Sequence, residues 1–147
     1  MVKNPCIILP DLTLTREVDI MIYGIGVDIV DISRFRNIIE RHGDKFAKRV
    51  LTSNEYIIYL KSNDKSTYLS KCWAVKEAFV KAMGTGFTGI FNKKDVAYGS
   101  SGDARPYIEL SNAAELEVIK LNLKTNLSVS DEVSNVVAFV IVERTNY

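Results

Sequence analysis

Residues 21–32 read MIYGIGVDIVDI. The β-branched and aromatic content of Ile22 to Val30 predicts a strand with unequal faces: Tyr23, Ile25 and Val27 on one, Gly24, Gly26 and Asp28 on the other. One face is bulky and the other bare, so a ligand could approach the backbone closely on the glycine side. Asp28, a carboxylate in an otherwise apolar run, reads either as a site residue or as a cap for the strand end or the next helix. Asp31 then caps a helix whose apolar positions Ile32, Phe35, Ile38 and Ile39 recur at three and four, leaving Arg34 and Arg41 seven apart on a shared polar face.

On the N-terminal side of this segment, residues 1–20 show no sustained period and read as an extended arm, separate from a domain spanning 21–147. Met21 is expected to be an alternative translation start. On the C-terminal side, Thr52 and Glu55 have the spacing of a capping box, predicting a short helix from Ser53 to Lys61. A longer helix follows from about Thr67 to Met83, ended by Gly84, with Leu69, Cys72, Trp73, Val80 and Met83 facing the core and Lys76, Glu77 and Lys81 on the other face. Asp95 to Tyr98 and Tyr107 to Leu110 alternate like a hairpin, Ser111 caps a helix to about Leu121, and Leu127 to Ser130 and Val136 to Glu143 read as strands. Helices early and strands late make a single α+β domain.

Residues 73–86, WAVKEAFVKAMGTG, hold the other candidate chemistry. Glu77 and Lys81 are four apart and meet on one helix face, with Lys76 adjoining. An ordinary surface ion pair reads the same way, at about 0.3–0.5 kcal/mol. The turn Gly84-Thr85-Gly86 adds amides and a hydroxyl where an oxyanion could bind. Asp28 and Glu77 brought together would suit magnesium, which takes one or two carboxylates with phosphate oxygens and water. Gly24-Ile25-Gly26 lacks the third glycine of a dinucleotide fingerprint, and no Walker spacing is present.

Composition narrows the classes. At 147 residues and 47% hydrophobic content the chain can bury one core. Its apolar runs fall far short of the roughly 20 residues of a membrane helix, and Ile7 to Leu9 is too short for a signal-peptide core, so a cytoplasmic protein with no membrane partner is expected. Cys6 and Cys72 form no metal-ligand spacing, and the single histidine, His42, gives a His-based triad no support. Ser33 to Val50 carries Arg34, Arg36, Arg41, Lys45, Lys48 and Arg49 against Glu40 and Asp44, a solvated helix face or a surface for an acidic partner.

The segments at 21–32 and 73–86, together with FAKRVLT at 46–52, Glu55 and LSVSD at 127–131, resemble the holo-acyl-carrier-protein synthases over nearly all of Met21 to Glu143. The resemblance implies a 4'-phosphopantetheinyl transferase-like fold, with helices packed on a small, mainly antiparallel sheet. It implies transfer of 4'-phosphopantetheine from coenzyme A to a serine of apo acyl carrier protein, for fatty acid biosynthesis, with adenosine 3',5'-bisphosphate leaving. By the same resemblance Asp28 and Glu77 bind Mg2+, Asp28, Glu77 and Lys81 form the catalytic set, and Lys76, Lys81, Gly84, Thr85 and Gly86 bind coenzyme A. Arg34 and Arg41 meet the carrier protein, and the assembly is a homotrimer with no nucleic-acid partner. Proton removal from the serine falls to a carboxylate or to a water at the metal near Glu77.

Two positions depart from the family pattern. Cys72 stands where an arginine is common, with Lys71 beside it as a possible substitute, and Asn126 and Asp131 stand where histidines are common. Two other classes fit parts of the sequence: a different magnesium-dependent phosphoryl-transfer enzyme, and a non-catalytic module that binds a carrier protein or nucleic acid through the basic patch. The first differs only in substrate; the second leaves Asp28 and Glu77 without a role.

Overall fold

The computed structural model describes residues 19–101 and 105–146. The extended arm expected at the N-terminus lies outside the described residues as far as residue 18. Strand β1 runs Asp19–Asp31, beginning two residues ahead of Met21, and leads directly into helix α1, Ile32–His42. Asp31 caps α1 as expected, accepting from the Ser33 amide at 2.8 Å. Two short helices follow, α2 (Lys45–Val50) and α3 (Ser53–Lys61). The capping box of α3 closes in both directions, with Glu55 N–H donating to Thr52 Oγ1 and Thr52 N–H to Glu55 Oε2.

Helix α4, Lys65–Met83, is the longest element and is entered through Asp64, whose carboxylate accepts from the amide and hydroxyl of Thr67. It ends at Gly84, in the left-handed conformation (φ 72°) that a residue with a Cβ adopts only at a cost. A 3-10 turn, Lys93–Asp95, leads into a two-stranded hairpin of β2 (Val96–Ser100) and β3 (Pro106–Leu110). Helix α5 (Asn112–Lys120) connects this hairpin to β4 (Leu123–Asp131) and β5 (Asn135–Asn146). The last two strands are longer than the sequence reading, and β5 lies in the middle of an antiparallel sheet ordered β1-β5-β4.

Helix α4 lies across this sheet, and the reason is in β1. A Cβ at Gly24 would collide with the carbonyl oxygen of Ala82, and one at Gly26 with that of Ala78. The bare face of the strand is therefore the seat of a helix backbone rather than an open approach for a ligand. Ala74, Ala78 and Ala82, at four-residue intervals, supply a small-residue stripe, and Val136, Ala138, Val140 and Val142 of β5 complete the contact, all buried. The bulky face is left uncovered: Ile25 is 60% exposed, Val27 53%, Ile29 68%, and Phe139, paired with Val27, 40%.

Candidate active site

The close seating of α4 on β1 brings Asp28 beside the last turns of the helix. Lys81 Nζ donates to Asp28 Oδ1 at 2.7 Å and to the Val27 carbonyl at 3.1 Å. The expected partner for Lys81 was Glu77 on its own helix; the described ion pair instead crosses from helix to strand. Glu77 lies one turn before Lys81. Burial raises its carboxyl above the usual range, the charge of Asp28 raises it further, and Lys81, Lys93 and Arg34 pull the other way. Asp28, Glu77 and Lys81, the three residues expected to carry the chemistry, are thus brought together.

Aromatic packing fixes this face of α4. Trp73, one turn before Glu77, meets Phe46 of α2 at 5.5 Å and Phe35 of α1 at 6.1 Å, and the two phenylalanines meet at 5.8 Å. Each tilted pair contributes about 0.5–1.5 kcal/mol beyond area burial. The trio locks α1 and α2 against α4 and sets Arg34 next to the site, with its guanidinium 5.7 Å from the Phe35 ring centroid. Arg34 and Arg41 are both exposed on α1, within the exposed basic surface that Arg36, Lys45, Lys48 and Arg49 extend.

Three expectations are corrected. Lys76 does not share the face of Glu77 and Lys81: it is 0% exposed, and its ammonium donates to Glu55 Oε2 at 2.8 Å, to the Lys93 carbonyl at 2.9 Å and to the Val96 carbonyl. Adjacent helix residues diverge by about 100°, so Lys76 points into the α3–β2 side, all three ammonium hydrogens engaged, and offers nothing to a bound cofactor. Glu55 in turn accepts from the Tyr98 amide at 2.9 Å. Second, the amides of the Gly84-Thr85-Gly86 turn are not open to an oxyanion. Gly84 N–H donates to Lys81 O, and those of Thr85 and Gly86 to Val80 O, at 3.1, 3.2 and 3.4 Å, finishing the helix. The Thr85 hydroxyl donates to Gly86 O at 3.0 Å. The turn can shape a pocket wall but has spent these donors. Third, Lys71, the substitute weighed for an arginine at Cys72, is already engaged by a carboxylate. Its ammonium pairs with Asp131 at 2.8 Å, while Cys72 is buried in the core with its thiol pushed up, by desolvation first and by Glu55 next.

Sequence reading overlooked Lys93. Its ammonium lies 4.5 Å from the ring centroid of Phe87 and 5.9 Å from that of Trp73. No local pattern marked it, because it arrives from a loop after α4.

Fold and site together define a class. A sequence model of the 4'-phosphopantetheinyl transferase superfamily matches residues 24–137, and the chain belongs to that superfamily. The holo-[acyl-carrier-protein] synthase of Ruthia magnifica is 40% identical over 124 residues, 84% of this chain and 98% of that one. Among solved structures, the Neisseria meningitidis holo-[acyl-carrier-protein] synthase superposes with a TM-score of 0.80 at 35% identity, over 84% of this chain and 100% of its own. The Helicobacter pylori enzyme of the same name, crystallised in complex with coenzyme A, gives 0.69 at 29% identity, over 80% and 98%.

Proposed function

We propose that this protein transfers the 4'-phosphopantetheine group of coenzyme A to a serine of an apo acyl carrier protein, supplying the holo form for fatty acid biosynthesis in the cytoplasm. The observation that carries the reading is the meeting of Asp28, Glu77 and Lys81 on one side of the β1–α4 seam, in a chain that holo-[acyl-carrier-protein] synthases match over most of its length.

The donor set fits magnesium. Asp28 and Glu77 offer hard carboxylate oxygens; burial first, and the charge of Asp28 next, raise the Glu77 carboxyl, and a cation between the two would relieve their repulsion. Among the described residues no group of three or more His, Cys, Asp or Glu side chains is placed to hold a metal. The remaining positions fall to water and phosphate oxygens, the shell magnesium favours. Bound there, magnesium would neutralise charge on the diphosphate of coenzyme A and on the leaving bisphosphate.

The chain's own residues do the rest. Lys81 holds the Asp28 carboxylate in place and, with two N–H groups on Asp28 and the Val27 carbonyl, keeps one for a phosphate oxygen. Gly84, Thr85 and Gly86 wall the coenzyme A pocket by backbone shape. The carrier serine Oγ attacks the β-phosphorus; a new O–P bond forms as the P–O bond to adenosine 3',5'-bisphosphate breaks, and the serine proton passes to bulk solvent by way of a water oriented by the Glu77 carboxylate. Arg34 and Arg41 dock the acidic carrier so that the serine reaches the phosphorus.

The uncovered sheet face supports contact between copies of this chain, which the resemblance makes a homotrimer. A monomer rarely leaves Ile25, Val27, Ile29 and Phe139 open together, and a contact between copies of this chain would bury them.

The variants Asp28→Asn and Glu77→Gln test the site. Each is expected to lower the transfer rate at least about 100-fold, the scale of one lost electrostatic contact to the reacting group, with the folded spectrum unchanged. Full activity in Glu77→Gln at ordinary magnesium would remove that carboxylate from the account.

A further inference from the structure

Lys93 is half-buried at the head of the 3-10 turn, and two independent constraints fix it. Its carbonyl accepts from the buried Lys76 ammonium at 2.9 Å, which ties the backbone at Lys93 to the residue of α4 next to Glu77. Its side chain crosses the rings of Phe87 and Trp73, with the ammonium 4.5 and 5.9 Å from their centroids. Trp73, Glu77 and Lys81 recur every four residues along α4 and share one face. A cation over Trp73 therefore stands over the approach to Glu77.

Among the described residues Lys93 makes no ion pair, whereas Lys71, Lys76 and Lys81 each hold a carboxylate within 2.8 Å. Lysine offers a compact point charge with several donors, suited to phosphate oxygens rather than to planar pairing. Ring faces hold the ammonium by their quadrupole without using its N–H donors as a carboxylate would. A solvated surface lysine would have neither the buried anchor on its backbone nor two rings under its side chain.

We propose that Lys93 is a phosphate-binding residue of this site, held over Phe87 and Trp73 to contact a phosphate of coenzyme A; this rests on the coenzyme A reading above. It lies across the Glu77 face from the Lys81 pair, so the two lysines would grip the anionic substrate from two sides.

Calorimetric titration of coenzyme A into the full-length protein tests this, comparing wild type with Lys93→Met, Lys93→Arg and the neighbouring Lys94→Met. Lys93→Met is expected to weaken coenzyme A binding roughly 10- to 100-fold, the scale of a lost hydrogen bond to a charged group, and to flatten its salt dependence. Its thermal midpoint should match wild type, Lys93→Arg should recover most of the affinity, and Lys94→Met should bind normally. Dephospho-coenzyme A separates the contacts: an unchanged penalty for Lys93→Met assigns the diphosphate, and a vanished one the 3'-phosphate. Wild-type affinity in Lys93→Met, or an equal loss in Lys94→Met, overturns the proposal and leaves the function reading standing. Wild-type protein that fails to bind coenzyme A overturns both.

Discussion

A methyl group at Gly26 would meet the carbonyl oxygen of Ala78 and the nitrogen of Ala82, backbone atoms of α4 that cannot step aside. Gly26→Ala is therefore expected to cost about 3 kcal/mol or more, at the upper end of overpacking penalties. Urea unfolding measures it, and a loss below about 1 kcal/mol would mean that α4 is not seated as described. The glycine pattern made the bareness of this face legible in the sequence. What occupies it was not legible, because Ala78 and Ala82 lie more than fifty residues further along the chain. Lys76 shows the same limit at a second residue. It adjoins Glu77 in sequence, and only its partners at Glu55, Lys93 and Val96 reveal that it faces the opposite way.

At the scale of elements, the boundaries were the readable part, since their signals are local. The Thr52–Glu55 capping box, the Asp31 cap and Gly84 mark their helix ends within three residues of themselves. The bracing between elements was not readable. Glu55 serves three elements at once, closing the cap of α3, pairing with Lys76 of α4 and accepting from Tyr98 of β2. Removing one partner of a buried pair leaves the other charge uncompensated, so Lys76→Met is expected to cost about 3–5 kcal/mol. The paired change of Lys76→Met with Glu55→Gln should recover part of that loss, as chemical denaturation of the single and double variants would show. Equal losses in both would deny the coupling. Because the brace also holds the turn bearing Lys93, the loosened single variant should bind coenzyme A less well even where it remains folded.

Over the whole molecule, the sheet turns its glycine face inward and its isoleucine face outward. The strand pattern identified both faces, but an apolar strand face has the same composition whether it meets a core or another copy of the chain. Only the placement of α4 decides between them. Ile25→Asp puts a charge on a face that is open in the single chain, so it should leave the fold intact and disrupt the proposed trimer. Light scattering on the purified variant should give the mass of one chain where wild type gives three; a trimeric variant would move the interface elsewhere. Asp28, Glu77 and Lys81 were marked as candidates in the sequence, but their meeting across the β1–α4 seam, the ring contacts of Lys93 and the Lys71–Asp131 pair emerged only when β1, the loop and β4 were set beside α4. The account as a whole stands on the transfer itself. Intact-mass spectrometry of a bacterial apo acyl carrier protein, incubated with this protein, coenzyme A and magnesium, measures it directly. The account predicts a gain of one phosphopantetheine on the carrier that a chelator abolishes, and no gain on any of several carriers, with the protein folded and metal present, would contradict it.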